Sequence, residues 1–406
     1  MRTIDEVRLQ VLSTVRLLGS EPVGLSGAEG RILAAPVIAP HDVPSFPNSA
    51  MDGFAVRADD VASPGAILEV VEEVAAGQVA RSRVDSGQAI KIMTGAPMPE
   101  GADTVVRVED TSEGNGKVEI ATAPEAGTSV RAPGGDVKAG TTVFQPGFRL
   151  TSAHIGTLAT IGMVGPIVAK LPRVAVMSTG DELVPPNSAE MAPGMIRDSN
   201  RPMLISLLEG AGAVVIDMGT IPDDAGLLRA ALGEAAAEAD AIVTSGGVSM
   251  GEFDVIKSVL REEADVEFFT VAMKPGKPQG FGSVGGTPFF GLPGNPVSVL
   301  VSFEQFVRPA LLAMQGATAL LRPRTVGLAG EDLESDAAKE EFIRVRIVDD
   351  QPALRVVQTG GHGSHLLSAM ANADAFAVLE VGVSSVVKDD PVLLELFNAA
   401  ATRAAS

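Results

Sequence analysis

The sequence predicts a multidomain α/β plus β protein, in which a doubly wound, three-layer α/β domain lies between a β-rich N-terminal region and a small C-terminal β domain. Three observations carry this prediction. Short apolar strands alternate with helical patterns from about Leu171 to Met314, as in a parallel sheet covered on both faces. Before that, short β-prone runs separated by Gly and Pro fill residues 66–144. After Pro323 the pattern returns to short strands as far as Leu396. The expected units are residues 1–166, 167–318 and 323–398, within the two to four domains that 406 residues allow.

Taken in order, Thr3-Ile4-Asp5-Glu6 has the form of a capping box, with Thr3 as N-cap and Glu6 reaching back. Ile4, Val7, Val11, Val15 and Leu18 recur at helical spacing, and Gly19 is read as the stop. Residues 36–47 are too rich in Pro for regular structure. Strands are expected at 67–74, 89–93, 104–109, 118–122 and 141–144. In the central unit, strand 174–178 leads to a helix at 202–209 and a strand at 213–218. Asp224 then caps a helix carrying Leu227, Leu228 and Leu232, a buried strand covers 241–244, and a long helix runs from about 296 to 314.

Composition excludes several function classes. With Cys at 0, disulfides, thiolate metal sites and thiol nucleophiles are all excluded, which fits a reducing compartment. Acids at Asp5 and Glu6 come too early for a signal peptide, and no apolar run reaches the roughly 18 residues a membrane span needs. A cytoplasmic protein is expected. The net charge of -20 disfavours nucleic acid and anionic membranes as partners, and the absence of Trp and Tyr removes the usual base-stacking platforms. An anionic substrate would therefore need local basic groups, backbone N–H groups or a metal.

Ligands of doubly wound sheets sit where loops leave the C-terminal strand ends. Three loops fall there: Ser178-Thr179-Gly180-Asp181-Glu182, the stretch from Ser245-Gly246-Gly247 through Ser249 to Asp254, and Gly291-Leu292-Pro293-Gly294-Asn295-Pro296-Val297-Ser298. Gly246 and Gly247 open a helix and could cradle a phosphate, or form an ordinary strand-to-helix turn. Asn295 and Pro296 suit an N-cap and a first helical position. Asp181, Glu182 and Asp254 are hard oxygen donors suited to Mg²⁺, though each singly reads as a solvated or capping acid. Met273-Lys274-Pro275-Gly276-Lys277-Pro278 is a basic, Pro-stiffened loop in an acidic chain. It suits an oxyanion, or is a surface turn. Two further stretches, 47–55 around Asp52 and 94–103 beginning at Thr94, lie in the N-terminal half. The four His residues show no metal-ligand spacing.

Ser49-Ala50-Met51-Asp52-Gly53-Phe54-Ala55, Thr94-Gly95-Ala96, Ser178-Thr179-Gly180-Asp181-Glu182-Leu183, Ser245-Gly246-Gly247-Val248-Ser249, Met273-Lys274-Pro275-Gly276-Lys277-Pro278 and Leu292-Pro293-Gly294-Asn295-Pro296-Val297-Ser298 together resemble the molybdopterin molybdotransferase family (MoeA type), to which the C-terminal part of gephyrin is related. The resemblance implies an N-terminal linking region, an inserted β domain, the α/β domain and a C-terminal β barrel, assembled as a homodimer. It implies conversion of adenylylated molybdopterin and molybdate to molybdenum cofactor and AMP, with Mg²⁺, and makes a molybdopterin adenylyltransferase a candidate partner.

Residue by residue, the resemblance implies functional roles for Asp52, Thr94, Asp136, Glu182 and Asp254, and the donor chemistry above puts the expected metal on Asp181, Glu182 and Asp254. It implies a molybdate pocket of Lys274, Lys277, Pro278, Ser298 and Arg344, with Ser364 or Ser368; Gly246, Gly247, Ser249 and Asn295 complete the expected substrate-binding set. Two departures stand out. Thr270 occupies a position that is often basic, and Lys339-Glu340-Glu341 stands where a Gly-Arg pair often precedes the Phe342-Ile343-Arg344 segment. The competing readings are a molybdopterin adenylyltransferase, which lacks the flanking domains, and a gephyrin-like binding scaffold.

Overall fold

The computed structural model describes residues 1–247, 257–260, 264–349, 351, 353–361 and 363–397. At the N-terminus the capping box forms: Thr3 Oγ1 accepts from Glu6 N–H and the Glu6 carboxylate accepts from Thr3 N–H. The helix Ile4–Thr14 buries Ile4, Val7 and Val11 in the central core. It ends before Gly19, because the chain turns extended at Val15 and Leu18 N–H donates to Met314 O at 2.8 Å. That tertiary hydrogen bond overrides the helical spacing of Val15 and Leu18.

The inserted domain is a six-stranded sheet in the order Thr104–Arg107, Gly53–Val56, Gln88–Ile92, Ala66–Val74, Lys117–Ile120, Thr111–Gly114. Its strand Gly53–Val56 was not expected. Gly53 is required there: a Cβ would lie 1.9 Å from Val106 O on the neighbouring strand. The Pro-rich stretch 36–47 holds one short strand, Val37–Ile38, paired with Thr142–Phe144.

The central sheet has the order Val214–Ile221, Arg173–Thr179, Ala241–Ser245, Thr287–Leu292, Pro278–Val284, Asp265–Thr270. Alternation along each strand feeds two cores. Val174, Val176, Ala241, Val243 and Phe290 face Leu204, Leu208, Val297 and Val301 on one side. Ala175, Met177, Ile242 and Phe289 face Leu228, Ala231, Leu232 and Leu260 on the other, which makes three layers. At about 25 cal/mol per Å² of apolar area, these two faces are the main stabilising term of the domain.

The sheet is mixed rather than wholly parallel. Pro278–Val284 runs antiparallel to both neighbours. The reversal is a two-residue turn at Gly285 and Gly286, with φ of 58° and 87°, a conformation that tight hairpins reserve for glycine. Residues 296–314 form helix Pro296–Ser302, a π turn Phe303–Val307 and helix Arg308–Met314. This 19-residue stretch is long and apolar enough to cross a membrane by length and composition, but it is mostly buried inside the protein. Glu304, Gln305 and Arg308 interrupt its apolar residues, and it is the core helix.

Near the C-terminus, strands Arg324–Ala329, Glu340–Asp349, Arg355–Gln358, Ala375–Leu379 and Pro391–Leu396 close into a five-stranded barrel through the Glu340–Asp349 and Ala375–Leu379 pairing. Ile343, Val345, Val356, Ala377 and Leu394 fill it. Phe342, Phe376 and Val378 point the other way and join the central core, so the barrel is docked on the α/β domain.

Candidate functional site

The basic loop is set by backbone pairing across the docked domains. Met273–Lys274 adds to the barrel strand in parallel, with Lys274 opposite Glu341. Lys274 Nζ lies 2.8 Å from Glu341 Oε1, whose side chain is 4% exposed. The second Glu341 oxygen, Oε2, accepts from Asp336 N–H at 3.2 Å. Gly276 has φ 104°, and a Cβ there would meet Met273 Cε at 2.8 Å, so the turn requires glycine. Gln279, buried, holds the turn from below by donating to Gly276 O and Ser302 Oγ, both at 2.6 Å. Lys277 is exposed, and Pro278 begins the antiparallel strand.

Lys274, Pro275, Val297, Glu341, Arg344, Gln358, Gly363 and Ser364 line part of a small cleft of about 20 Å³. That is far below the roughly 300–1,000 Å³ of pockets for drug-sized ligands, so the space suits a small ion at most. Arg344 is 5% exposed. Its guanidinium donates to Gly363 O and Leu366 O at 3.1 Å each, and to Gly361 O. Burial pushes its pKa below the ordinary arginine value. Arg344 thus clamps the loop that carries Ser364, whose carbonyl accepts from Val297 N–H at 3.1 Å. Ser298 is buried on the helix beginning at Pro296, whereas Ser368 is exposed and lies outside the cleft lining.

The other loops meet at the C-terminal edge of the sheet. Gly246 and Gly247 have φ of 93° and 71°, and a Gly246 Cβ would lie 2.7 Å from Thr179 O. Gly246 N–H is spent on Leu292 O at 3.2 Å, so that donor is unavailable to a ligand. Asn295 holds the N-cap position, but its side chain makes no cap hydrogen bond and is exposed. Asn295 and Pro296 thus take the expected N-cap and first-turn positions, with the restraint coming from the proline φ and not from a side-chain bond.

Asp181 and Glu182 are exposed on the loop after Arg173–Thr179. Asp181 Oδ1 accepts from Asp223 N–H at 3.0 Å, while Glu182 folds back over Gly180, occupying the space a Cβ would take. Ser249 and Asp254 lie outside the described residues. Among the described residues no group of three or more His, Asp or Glu side chains forms a metal cluster.

Sequence reasoning missed the supports of this edge. Asp198, 1% exposed, accepts from Ser178 Oγ, Thr220 Oγ1 and Arg201, and Arg201 also pairs with Asp217 at 2.6 Å. Asn200 donates to Ser245 Oγ at 2.8 Å and Gly294 O at 2.6 Å, tying two of the loops together. The only sequence signal was the polar run Asp198-Ser199-Asn200 ahead of a helix.

In the inserted domain the structure joins the two N-terminal motifs. Asp52 Oδ1 accepts from Thr94 N–H at 2.7 Å and Thr94 Oγ1 at 2.8 Å. These bonds, the backbone one first, hold the Asp52 carboxyl below its ordinary pKa although it is fully exposed. Asp136 is exposed beside Val43, whose carbonyl accepts from Asp136 N–H at 3.0 Å.

Three family models cover the chain in order. They are the MoeA N-terminal region (domain I and II) over residues 2–162, a probable molybdopterin binding domain over 175–313, and the MoeA C-terminal region (domain IV) over 327–397. A relative from Mycobacterium tuberculosis, molybdopterin molybdenumtransferase 2, is 41% identical over 384 residues, covering 92% of this chain and 94% of that protein. The chain belongs to the MoeA family of molybdopterin molybdenumtransferases. The molybdopterin molybdenumtransferase of Haemophilus influenzae is 37% identical over 402 residues, covering 98% of this chain and 99% of that one. The crystal structure of the molybdopterin biosynthesis moeA protein from Pyrococcus horikoshii superposes with a TM-score of 0.86 at 28% identity, covering 98% of this chain and 100% of that one.

Proposed function

We propose that this chain inserts molybdate into adenylylated molybdopterin, giving molybdenum cofactor and AMP. The observation that carries the reading is the small cleft in which Lys274 and Arg344 stand together in a chain of net charge -20. Lys274 holds the dianion by a charge-assisted contact. Arg344 acts through the loop it clamps, which keeps Ser364 at the cleft. Lys277 adds positive charge on the Lys274 loop. Fixing the oxyanion beside the bound pterin lowers the entropic cost of the encounter.

Hard oxygen donors at the sheet edge fit Mg²⁺, which typically takes one or two carboxylates alongside substrate phosphates. Glu182 is exposed, with its carboxylate lying over Gly180. Asp181 is partly committed to Asp223, and Asp254 completes the proposed set. When bound, the ion would neutralise charge on the substrate phosphates. A homodimer would bring Asp52 and Thr94 of one subunit to the lysine cleft of the other. The cytoplasm is the proposed compartment, and a molybdopterin adenylyltransferase the proposed supplier of substrate.

The test is a product assay with adenylylated molybdopterin, molybdate and Mg²⁺. AMP release is expected. Pyrophosphate formed from ATP instead would favour an adenylyltransferase, and inertness in both assays a scaffold. Lys274→Ala should raise the molybdate requirement roughly 10- to 150-fold, the equivalent of about 1.5–3 kcal/mol for a lost charge-assisted contact. An unchanged molybdate dependence would remove Lys274 from the site.

A further inference from the structure

We propose that Glu341 is a built-in competitor for Lys274, which the oxyanion must displace, and that it sets how much oxyanion the site requires. The inference rests on the reading of the Lys274 cleft as the oxyanion site. Lys274 and Glu341 stand opposite one another in a parallel strand pair, so the backbone register makes them neighbours. The carboxylate is nearly buried at 4% exposure, the ammonium 38% exposed, and Nζ to Oε1 is 2.8 Å. Oε2 is anchored on Asp336 N–H, which keeps the carboxylate facing the lysine. Both side chains line the same cleft.

Arg344, the other cation there, is committed to the carbonyls of Gly361, Gly363 and Leu366. Lys274 is therefore the principal cation for an incoming anion, and Glu341 already neutralises it. A dianion bound on Lys274 sits within a few ångströms of a nearly buried carboxylate, where repulsion is weakly screened. Either the ammonium swings outward, toward its exposed side, or the anion binds at a penalty. Removing the charge but not the shape of Glu341 should therefore tighten binding. If Glu341 served only to orient Lys274, the same change would weaken it, so the sign of the effect separates the two roles.

The experiment is calorimetric titration of sodium molybdate alone into the full-length protein at fixed ionic strength, with thermal unfolding as a check on folding. Wild type, Glu341→Gln, Lys274→Met and the double variant are compared. Glu341→Gln should bind molybdate at least about tenfold tighter. Lys274→Met should bind at least about tenfold weaker; in that background Glu341→Gln relieves only the direct repulsion and no longer frees the lysine, so its gain should be smaller than in wild type. Glu341→Ser, which also deletes the carboxylate, should shift affinity in the same direction and serves if the Gln variant unfolds. Wild-type or weaker affinity in Glu341→Gln, alongside a crippled Lys274→Met, would overturn the competitor and leave the oxyanion site standing. Equal affinity in wild type and Lys274→Met, or no binding by any variant at millimolar molybdate, would overturn the oxyanion reading and the competitor with it.

Discussion

Arg344→Met puts the clamp on the cleft loop to the test. The guanidinium is 5% exposed and donates to three backbone carbonyls, those of Gly361, Gly363 and Leu366. Hydrogen bonds from a charged donor are worth about 1.5–3 kcal/mol each when lost singly. Bonds sharing one donor group are not additive, and the variant also relieves the desolvation that lowers the arginine pKa. A net loss of about 2–4 kcal/mol in the local stability of the loop is therefore expected, or roughly 30- to 1,000-fold in its opening equilibrium. Arg344→Lys should recover less than half of this, because an ammonium cannot span three carbonyls with a planar fork. Amide hydrogen exchange followed by mass spectrometry gives the assay. Protection of peptides covering 363–366 should fall, with Val297 following because its N–H is bonded to Ser364 O. Distant strands such as Gly53–Val56 should not change. Wild-type protection of that loop in Arg344→Met would refute the clamp, and full rescue by Lys would refute the fork geometry.

Three further outcomes are expected. Thr94→Ala removes one of the two hydrogen bonds that depress the Asp52 pKa, so Asp52 should titrate closer to 3.8, as followed by carboxyl NMR. A depressed acid stabilises above its unfolded pKa and loses that contribution as pH falls through the folded value, so the stability gap between variant and wild type should close in acid. An unmoved titration would show that Thr94 Oγ1 does not hold Asp52. Gly246→Ala forces a Cβ into φ 93° and 2.7 Å from Thr179 O; it should lower stability by about 1–3 kcal/mol, seen as a lower urea midpoint, whereas a neutral result would mean the turn readily relaxes. Finally, at molybdate too low for either variant alone to turn over, mixing Asp52→Ala and Lys274→Ala subunits under exchange should return about a quarter of wild-type activity if each site draws on both subunits of a two-fold dimer. No recovery despite confirmed exchange would place each site within one chain.

Features carried by neighbours in the chain were legible from the sequence. The capping box at Thr3 and Glu6, the Asp224 cap and the strands within 66–144 all follow from spacing and turn chemistry, and these elements form near the expected positions. So was the order of the motifs, because a family's loops keep their order whatever the fold does with them. The helix end at Thr14, the strand at Gly53–Val56 and the Gly285-Gly286 hairpin were missed, since each is decided by a partner strand or helix elsewhere. The cleft illustrates the limit most directly. That Lys274 belongs to a basic, Pro-stiffened loop is written in the sequence. That it faces Glu341, and that Arg344 is spent on backbone carbonyls, is decided by a parallel register between a loop of the α/β domain and a barrel strand more than sixty residues away. Hydrophobic periodicity reports which face of an element is buried, but it carries no information about which distant element covers that face. The electrostatics of the site therefore exist only in the folded chain.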